Sequence, residues 1–333
     1  MLPFRPTQRG REIRRLAAIA AALAGLAIAP GVASAQADFP NKPIHFVVGF
    51  APGGPSDIIS RVFGAKMGEE LGQQVLVENR TGAGGVVATD YVARAEPDGY
   101  TILSTATANA SNETLSKSLQ ARFGKDLVAV AALADTANIL VVHPSLGVKT
   151  LPEFIALAKK QDLLYASAGV GSATHLTSEL FNSRAGIKTA PVHYRGGGDA
   201  MKDLLSGQVK MMFSSIAPVI GAVQEGKLIG IATTGAKRDP AFPNLPTVAE
   251  AGLPGFETRL WIGITARAGT PKPIVDKLAA AARKAAKDPT VVQTLAKQGF
   301  APLIMGPEQF DAYYRAERDM WGKVIKDTGM DQN

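Results

Sequence analysis

The residues best suited to hold a small charged molecule lie where an early strand pattern ends. An apolar run at residues 44–50 is followed by Ala-Pro-Gly-Gly at residues 51–54, and a helical pattern begins near Ser56 and Asp57. A strand, a glycine-rich turn and a helix N-terminus in direct succession point backbone N–H groups and the positive end of a helix dipole at one place. That arrangement favours an anion. The alternative is an ordinary strand-to-helix turn with Ser56 or Asp57 as the helix N-cap.

A second segment of the same kind has the sequence YASAGVGSATHL. Here too a strand pattern enters small residues and a helical pattern follows. Gly169 and Gly171 are expected to expose backbone N–H groups, and hydroxyl groups come from Ser167, Ser172 and Thr174. Ligand contact and a plain turn are both compatible with this pattern.

A third segment, VHYRGGGD, places Arg195 directly after a strand pattern. A guanidinium there can hold a carboxylate through two hydrogen bonds, and Tyr194 can stack or donate a hydrogen bond. Arg195 as an ordinary surface residue is equally compatible. Asp203 is expected to pack on a helix face or to hold a loop, with ligand contact as the alternative.

Other reactive chemistry finds little support in the sequence. Cysteine is absent, which excludes disulfides, thiolate metal sites and a cysteine nucleophile, and the four histidines lack metal-ligand spacing. Ser172 and His175 are neighbours in sequence, but no Asp completes an obvious triad. Thr174 occupies the third glycine position of a dinucleotide fingerprint, and Val170 breaks a nucleophile elbow. No catalytic residue, metal or cofactor is therefore predicted.

Strand and helix patterns alternate along the chain, which indicates an α/β protein with largely parallel sheets. Strands are predicted at residues 44–50, 75–78, 101–104, 129–134, 139–143, 164–167, 192–194, 211–214, 228–233 and 260–265. Helices are predicted to follow Pro55, Gly84, Leu151, Ala173, Asp199, Ala217, Thr247, Thr270, Asp288 and Gly306.

The first 37 residues have the pattern of a secretory signal peptide. A basic start precedes an apolar run at residues 16–28, and small residues then fit a cleavage site. This leader holds five arginines and one glutamate, so it contributes +4 of the formal +7 and leaves about +3 on the mature chain. The basic balance therefore gives no argument for nucleic acid. A periplasmic location is predicted, with a monomer expected.

Two segments are predicted to cross between two α/β domains, at residues 138–144 and 254–263. Domain I would then comprise residues 38–141 and 258–333, and domain II residues 142–257. Two domains joined by two strands form a cleft that can close on a ligand.

Several motifs recur in order across nearly all of the mature chain. They read KPI, FAPGGPSD, LGQQVLVENRTGAGG, VARAEPDGYT, ASAGVGSATHL, VHYRGGGDAMKDLLSGQV, LPTVAEAG, AGTPKP and AERDMWGKVI. Together they make the sequence similar to the Bug family of periplasmic solute receptors, which serve tripartite tricarboxylate transporters. The resemblance implies a type II periplasmic binding protein fold, a small carboxylate held in the interdomain cleft without catalysis, and delivery to membrane permease subunits.

The resemblance also implies ligand contacts from the three segments above and from the strand-to-helix turn near Thr105. The predicted ligand-binding residues are Phe50, Ala51, Gly53, Gly54, Ser56, Asp57, Thr105, Ser167, Gly169, Gly171, Ser172, Thr174, His175, Tyr194, Arg195 and Asp203. A secreted α/β hydrolase using the same cleft, and a binding protein that signals to a sensor kinase, remain as alternatives. The sequence does not identify the carboxylate.

Overall fold

A computed structural model describes residues 39–194 and 196–330 of the chain. The predicted signal peptide and Arg195 lie outside these residues. The strands are β1 (Ile44–Val48), β2 (Val75–Asn79), β3 (Thr101–Ala106), β4 (Leu127–Val142), β5 (Leu163–Ser167), β6 (Thr189–His193), β7 (Met211–Ser215), β8 (Ile229–Thr233), β9 (Arg259–Arg267) and β10 (Ala301–Met305). The helices are α1 (Pro55–Leu71), α2 (Val86–Ala93), α3 (Thr107–Leu115), α4 (Leu151–Ala158), α5 (Ala173–Ala185), α6 (Gly197–Leu205), α7 (Ile220–Gln224), α8 (Lys272–Ala285), α9 (Pro289–Lys297) and α10 (Pro307–Thr328).

The strands of the described residues are joined in the order β2-β1-β3-β9-β4-β7-β5-β6, and β8 and β10 also pair with β4. We call β1, β2, β3, β9 and β10 the strands of the first lobe, and β5 to β8 those of the second lobe. Strand β1 is parallel to β2 and β3, and β5 is parallel to β6 and β7. Every pair made by β4 or β9 is antiparallel. The prediction of largely parallel sheets is wrong at this centre, because β4 leaves the first lobe and β9 returns to it in the opposite direction.

Strand β4 joins the two lobes as one continuous element. It pairs with β9 as far as Ala137 and with β7 from Asn138 onward. The sequence predicts two separate strands here, since polar residues interrupt the apolar run. Those polar groups are satisfied inside the protein: Asp135 pairs with Arg259, and Thr136 donates to the carbonyl of Gly299. Buried hydrogen bonds therefore let the strand continue where the sequence suggests a break.

In the second half of the chain, one predicted helix is wrong and one strand was not predicted. Residues 248–252 form turns and not the helix predicted after Thr247, because Gly252 and Pro254 leave too little chain for one. Strand β10 was not predicted, since its segment contains a proline and lacks a clear alternation. Pairing with β4 decides its conformation.

The C-terminal helix α10 packs against one helix from each lobe. It packs against α3 of the first lobe and α5 of the second. Its buried Trp321 and Ile325 form a small apolar cluster with Leu176 of α5, and Leu115 at the end of α3 packs against this cluster. Helix α10 therefore contacts one helix of each lobe.

Candidate functional site

A cavity of about 740 Å³ lies at the carboxyl ends of the strands of both lobes. Strands β1, β2, β3, β5 and β6 each end one or two residues before a residue that lines it. The lining residues are Gly49, Phe50, Ala51, Thr81, Gly82, Ala83, Gly84, Ala108, Asn112, Leu115, Ser116, Ala168, Gly169, Val170, Ser172 and Tyr194. Carboxyl ends of parallel strands are the usual place for a ligand in α/β proteins.

Two helices begin at this cavity. Ala108 in the first turn of α3 and Ser172, the N-cap of α5, both line it. The start of α3 is held by Asn109, whose Oδ1 accepts from the N–H of Ala106 at 2.8 Å. The first N–H groups of a helix lack partners within the helix, and its N-terminus carries a partial positive charge. Both helix ends therefore favour a negatively charged ligand in the cavity.

The first turn, residues 51–54, is held from behind by Asp57. This side chain is buried, and its Oδ2 accepts from the N–H of Gly53 at 2.9 Å, while Oδ1 accepts from Nδ2 of Asn79 at 2.9 Å. Arg61 donates to both carboxylate oxygens. Burial acts to raise the pKa of Asp57, but the hydrogen bonds from Arg61, Gly53 and Asn79 outweigh it and the pKa is lowered. The carboxylate thus stays charged and keeps the turn in place.

This geometry corrects the sequence analysis of the first turn. The N-cap of α1 is Gly54, not Ser56 or Asp57, and it makes no side-chain cap. The N–H groups of Gly53 and Gly54 donate to Asp57 and to the carbonyl of Ala51. The expectation that these N–H groups are free for a ligand is therefore wrong, because the turn uses them to hold its own shape.

The second turn, residues 168–172, is held by neutral side chains. The N–H of Ala168 donates to Oγ1 of Thr174 at 2.9 Å, that of Gly169 to Oγ of Ser167 at 3.1 Å, and that of Gly171 to Nδ1 of His175 at 3.1 Å. The expectation that Gly169 and Gly171 expose their N–H groups is therefore wrong. The predicted ligand-binding side chains Ser167, Thr174 and His175 lie against this turn and do not line the cavity.

His175 is buried behind the second turn, and its ring contacts that of His193, which is exposed. Their ring centroids are 4.6 Å apart, edge to face. Burial, together with the neighbouring His193, lowers the pKa of His175 to about 4. Partial desolvation of the imidazole also lowers the pKa of His193, although Glu179 acts in the opposite direction. His175 is thus neutral near pH 7, and since Nδ1 accepts from Gly171, its proton is on Nε2.

The cavity wall next to the second turn includes Tyr194. Its hydroxyl donates to Oδ2 of Asp203 at 2.7 Å. Burial and this hydrogen bond raise the pKa of Tyr194 to about 12, so the phenol stays protonated. Asp203 thus holds Tyr194 and does not line the cavity.

Comparisons with known proteins agree with this architecture. Residues 59–330 match the model of the tripartite tricarboxylate transporter family receptor. The chain belongs to this receptor family. The periplasmic binding protein BugD is 32% identical to it, with a TM-score of 0.79, 88% of this chain covered and 99% of that chain. These matches confirm the Bug-family resemblance, the two-lobed periplasmic binding protein fold, and a solute-binding protein rather than an enzyme.

Two other similar structures contain ligands. R. palustris Rpa4515 with adipate is 31% identical to the receptor, with a TM-score of 0.80 and coverage of 88% of this chain and 99% of that chain. MatC from Rhodopseudomonas palustris with bound malate is 34% identical, with a TM-score of 0.78 and coverage of 86% and 100%.

The structure brings together only part of the predicted site of the receptor. Phe50, Ala51, Gly169, Ser172 and Tyr194 line the one cavity, so both glycine turns meet there as expected. The other described residues of the prediction lie outside its lining: Gly53, Gly54, Ser56, Asp57, Thr105, Ser167, Gly171, Thr174, His175 and Asp203. Thr105 is buried within β3 and pairs with Gly263 of β9. A ligand contact by Arg195 stays a prediction.

Sequence reasoning missed one face of α3 and the segment after β2. Ala108, Asn112 and Leu115 line the cavity, together with residues 81–84. Their spacing of four and three residues is that of one helix face, which was the available signal. This spacing did not lead to a site prediction, because a short helix with alanine and leucine on one face resembles a core element. The TGAGG segment at residues 81–85 was used only as a family motif.

Within the described residues, no cluster of histidine, aspartate or glutamate has the geometry of a metal site. Among the helices of residues 39–194 and 196–330, none has the length and apolar character needed to cross a membrane.

Proposed function

We propose that the receptor captures a small carboxylate in the cavity between its lobes and delivers it to the permease subunits of a tripartite tricarboxylate transporter. The meeting of both glycine turns and two helix N-termini at one cavity carries this proposal. Family membership supports the transporter as the partner. The similar structures with adipate and malate support a carboxylate as the ligand.

The energetics are sufficient without a metal. A hydrogen bond to a charged group contributes roughly 1.5–3 kcal/mol, and a helix N-terminus adds on the order of 0.3–1 kcal/mol or more when buried. Micromolar binding requires about 8 kcal/mol. The two helix ends and a few hydrogen bonds from the cavity wall reach this range before ordering costs are subtracted.

The remaining sequence predictions belong to the same proposal. The receptor is a monomer secreted to the periplasm after removal of residues 1–37. Its lobes are residues 38–141 with 258–333 and residues 142–257, and they close on the ligand. Support for a crossing within β4 comes from its pairing, which changes partner between Ala137 and Asn138, four residues before the proposed boundary.

A thermal-shift and calorimetric screen of the mature chain against small carboxylates tests this function. A ligand present at 100 times its dissociation constant should stabilise the receptor by about 2.7 kcal/mol, and the matching uncharged diamide should not. Recovery of the ligand unchanged separates a receptor from a hydrolase. Loss of labelled-ligand uptake on deletion of the receptor in cells that carry the permease separates transport from signalling. Absence of binding by every carboxylate would contradict the proposal.

A further inference from the structure

We propose that the cavity selects carboxylates with an unsubstituted apolar body over hydroxylated carboxylates of the same charge. This inference rests on the proposed function and narrows its ligand class. It is carried by two features of the cavity: the apolar surface of its walls, and the internal use of the hydrogen-bond donors on its polar side chains.

Apolar groups from both lobes line the cavity. Phe50 and Leu115 come from the first lobe and Val170 from the second. The Val170 side chain is 58% exposed and lines the cavity, so its methyl groups are available to a ligand. Among the described lining residues none carries a charged side chain. The walls therefore suit methylene or ring carbons of a ligand.

The polar side chains of the walls already donate within the protein. Ser172 donates to the carbonyl of Gly169 at 2.7 Å, Tyr194 to Asp203 at 2.7 Å, and Asn112 to the carbonyl of Gly84 at 2.9 Å. A serine or tyrosine hydroxyl has only one hydrogen to donate.

Few side-chain donors are then left for a ligand. Ser116 is paired with Ser118 at 3.0 Å between their hydroxyl oxygens. The described contacts leave the second N–H of Asn112, the hydroxyl of Thr81 and, when Ser118 is the donor of its pair, the hydroxyl of Ser116 as the side-chain donors on the wall. The helix N-termini of α3 and α5 and these donors suffice for a carboxylate. Once the carboxylates use these donors, a hydroxyl on the ligand body would lose the water that donates to it, and the wall offers few side-chain donors in its place.

The direct test is a pair of ligand series measured by calorimetry on the mature native chain. Succinate, malate and tartrate share one dicarboxylate backbone and differ only in hydroxyl number. Each hydroxyl should weaken binding about tenfold, because an unpaired polar group carries its full desolvation cost. Succinate, glutarate and adipate differ only in length, and each methylene should tighten binding about fourfold.

The outcomes separate this inference from the proposed function. Malate or tartrate binding as tightly as succinate would overturn the selectivity and leave a carboxylate receptor standing. No binding by any member of either series, extended to aromatic monocarboxylates, would overturn both.

One substitution tests whether the apolar cavity wall causes the selectivity against hydroxylated carboxylates. Val170→Thr replaces a methyl with a hydroxyl of almost the same shape, at an exposed position where folding should not suffer. It should narrow the gap between succinate and malate at least threefold. Val292→Thr makes the same change at an exposed site on α9 outside the cavity and should leave the gap unchanged. An unchanged gap in Val170→Thr would overturn the assignment to this wall.

Discussion

The first and second turns share one backbone plan and differ in the side chain that holds it. In each, a glycine with positive φ precedes the N-cap: Gly53 at 79° and Gly171 at 73°. The N–H of that glycine donates to a side chain four residues later, in the first turn of the following helix. The acceptor is the Asp57 carboxylate in the first turn and the neutral His175 imidazole in the second.

One loop shape can therefore be held by a charged carboxylate or by a neutral ring, and acid removes the two contributions in different pH ranges. The lowered pKa of Asp57 keeps its contribution to stability intact above about pH 4. The lowered pKa of His175 favours the neutral form in the folded state. Its contribution is complete above the unfolded pKa of about 6.5 and is lost as the pH falls toward 4. Mild acid should thus weaken the second turn alone.

The largest effect is expected from removing the charged acceptor of the first turn. Asp57→Ala leaves the N–H of Gly53, the amide of Asn79 and the guanidinium of Arg61 without their shared acceptor. The free energy of unfolding should fall by about 3 kcal/mol, as for other broken buried polar networks. Urea denaturation monitored by circular dichroism measures it.

The matched control is Asp199→Ala, which removes an exposed carboxylate paired with Lys202 on α6. Its denaturation curve should lie close to that of the parent chain. Equal losses in both variants would mean that Asp57 does not hold the first turn.

The next effect is the acid sensitivity of the second turn. With a folded pKa of about 4 against about 6.5 unfolded, His175 should cost about 2 kcal/mol of stability between pH 7.5 and pH 5. Its ring faces His193 edge-on and lies 6.4 Å from the ring of Tyr165, measured between centroids. Urea midpoints measured across this pH range test the prediction.

His175→Gln supplies the control, since an amide does not titrate in this range. The slope of stability against pH should flatten, with a remainder from His193, whose lowered pKa acts in the same direction. A variant with the full slope of the parent would place the titrating group elsewhere.

The smallest effects compare one glycine substitution in both turns. Gly53→Ala meets no atom within 4 Å and should cost about 1 kcal/mol from its left-handed backbone alone. Gly171→Ala would add a Cβ at 3.1 Å from Cδ1 of Leu115 and 3.3 Å from Oδ1 of Asn112, so about 2 kcal/mol is expected.

The affinity for a carboxylate should also differ between these two glycine variants. Leu115 and Asn112 line the cavity, so Gly171→Ala should also weaken carboxylate binding, whereas Gly53→Ala should change it little. Calorimetry on both variants decides the point. Weakening in Gly53→Ala alone would reverse the roles assigned to the two turns.

Much of the fold was accessible from local patterns. Apolar periodicity and turn residues located every strand except β10, although the ends shifted by one to three residues and the continuous β4 was predicted as two strands. For the site, the two turns were found because glycine and proline mark them locally. Residues 108, 112 and 115 were not, because nothing in a helix sequence says which side faces a cavity and which faces the core.

The sequence by itself determined the strand–turn–helix order at residues 44–57 and 163–175, because backbone preferences and hydrophobic period act over a few neighbours. It also carried the family motifs. Only the tertiary structure decided that five strand ends meet at one cavity, that β4 continues through its polar residues, and that the glycine N–H groups are used inside the turns. The physical reason is that each of these depends on where a hydrogen-bond acceptor or a packing surface lies in space, and distant segments of the chain set most of those positions.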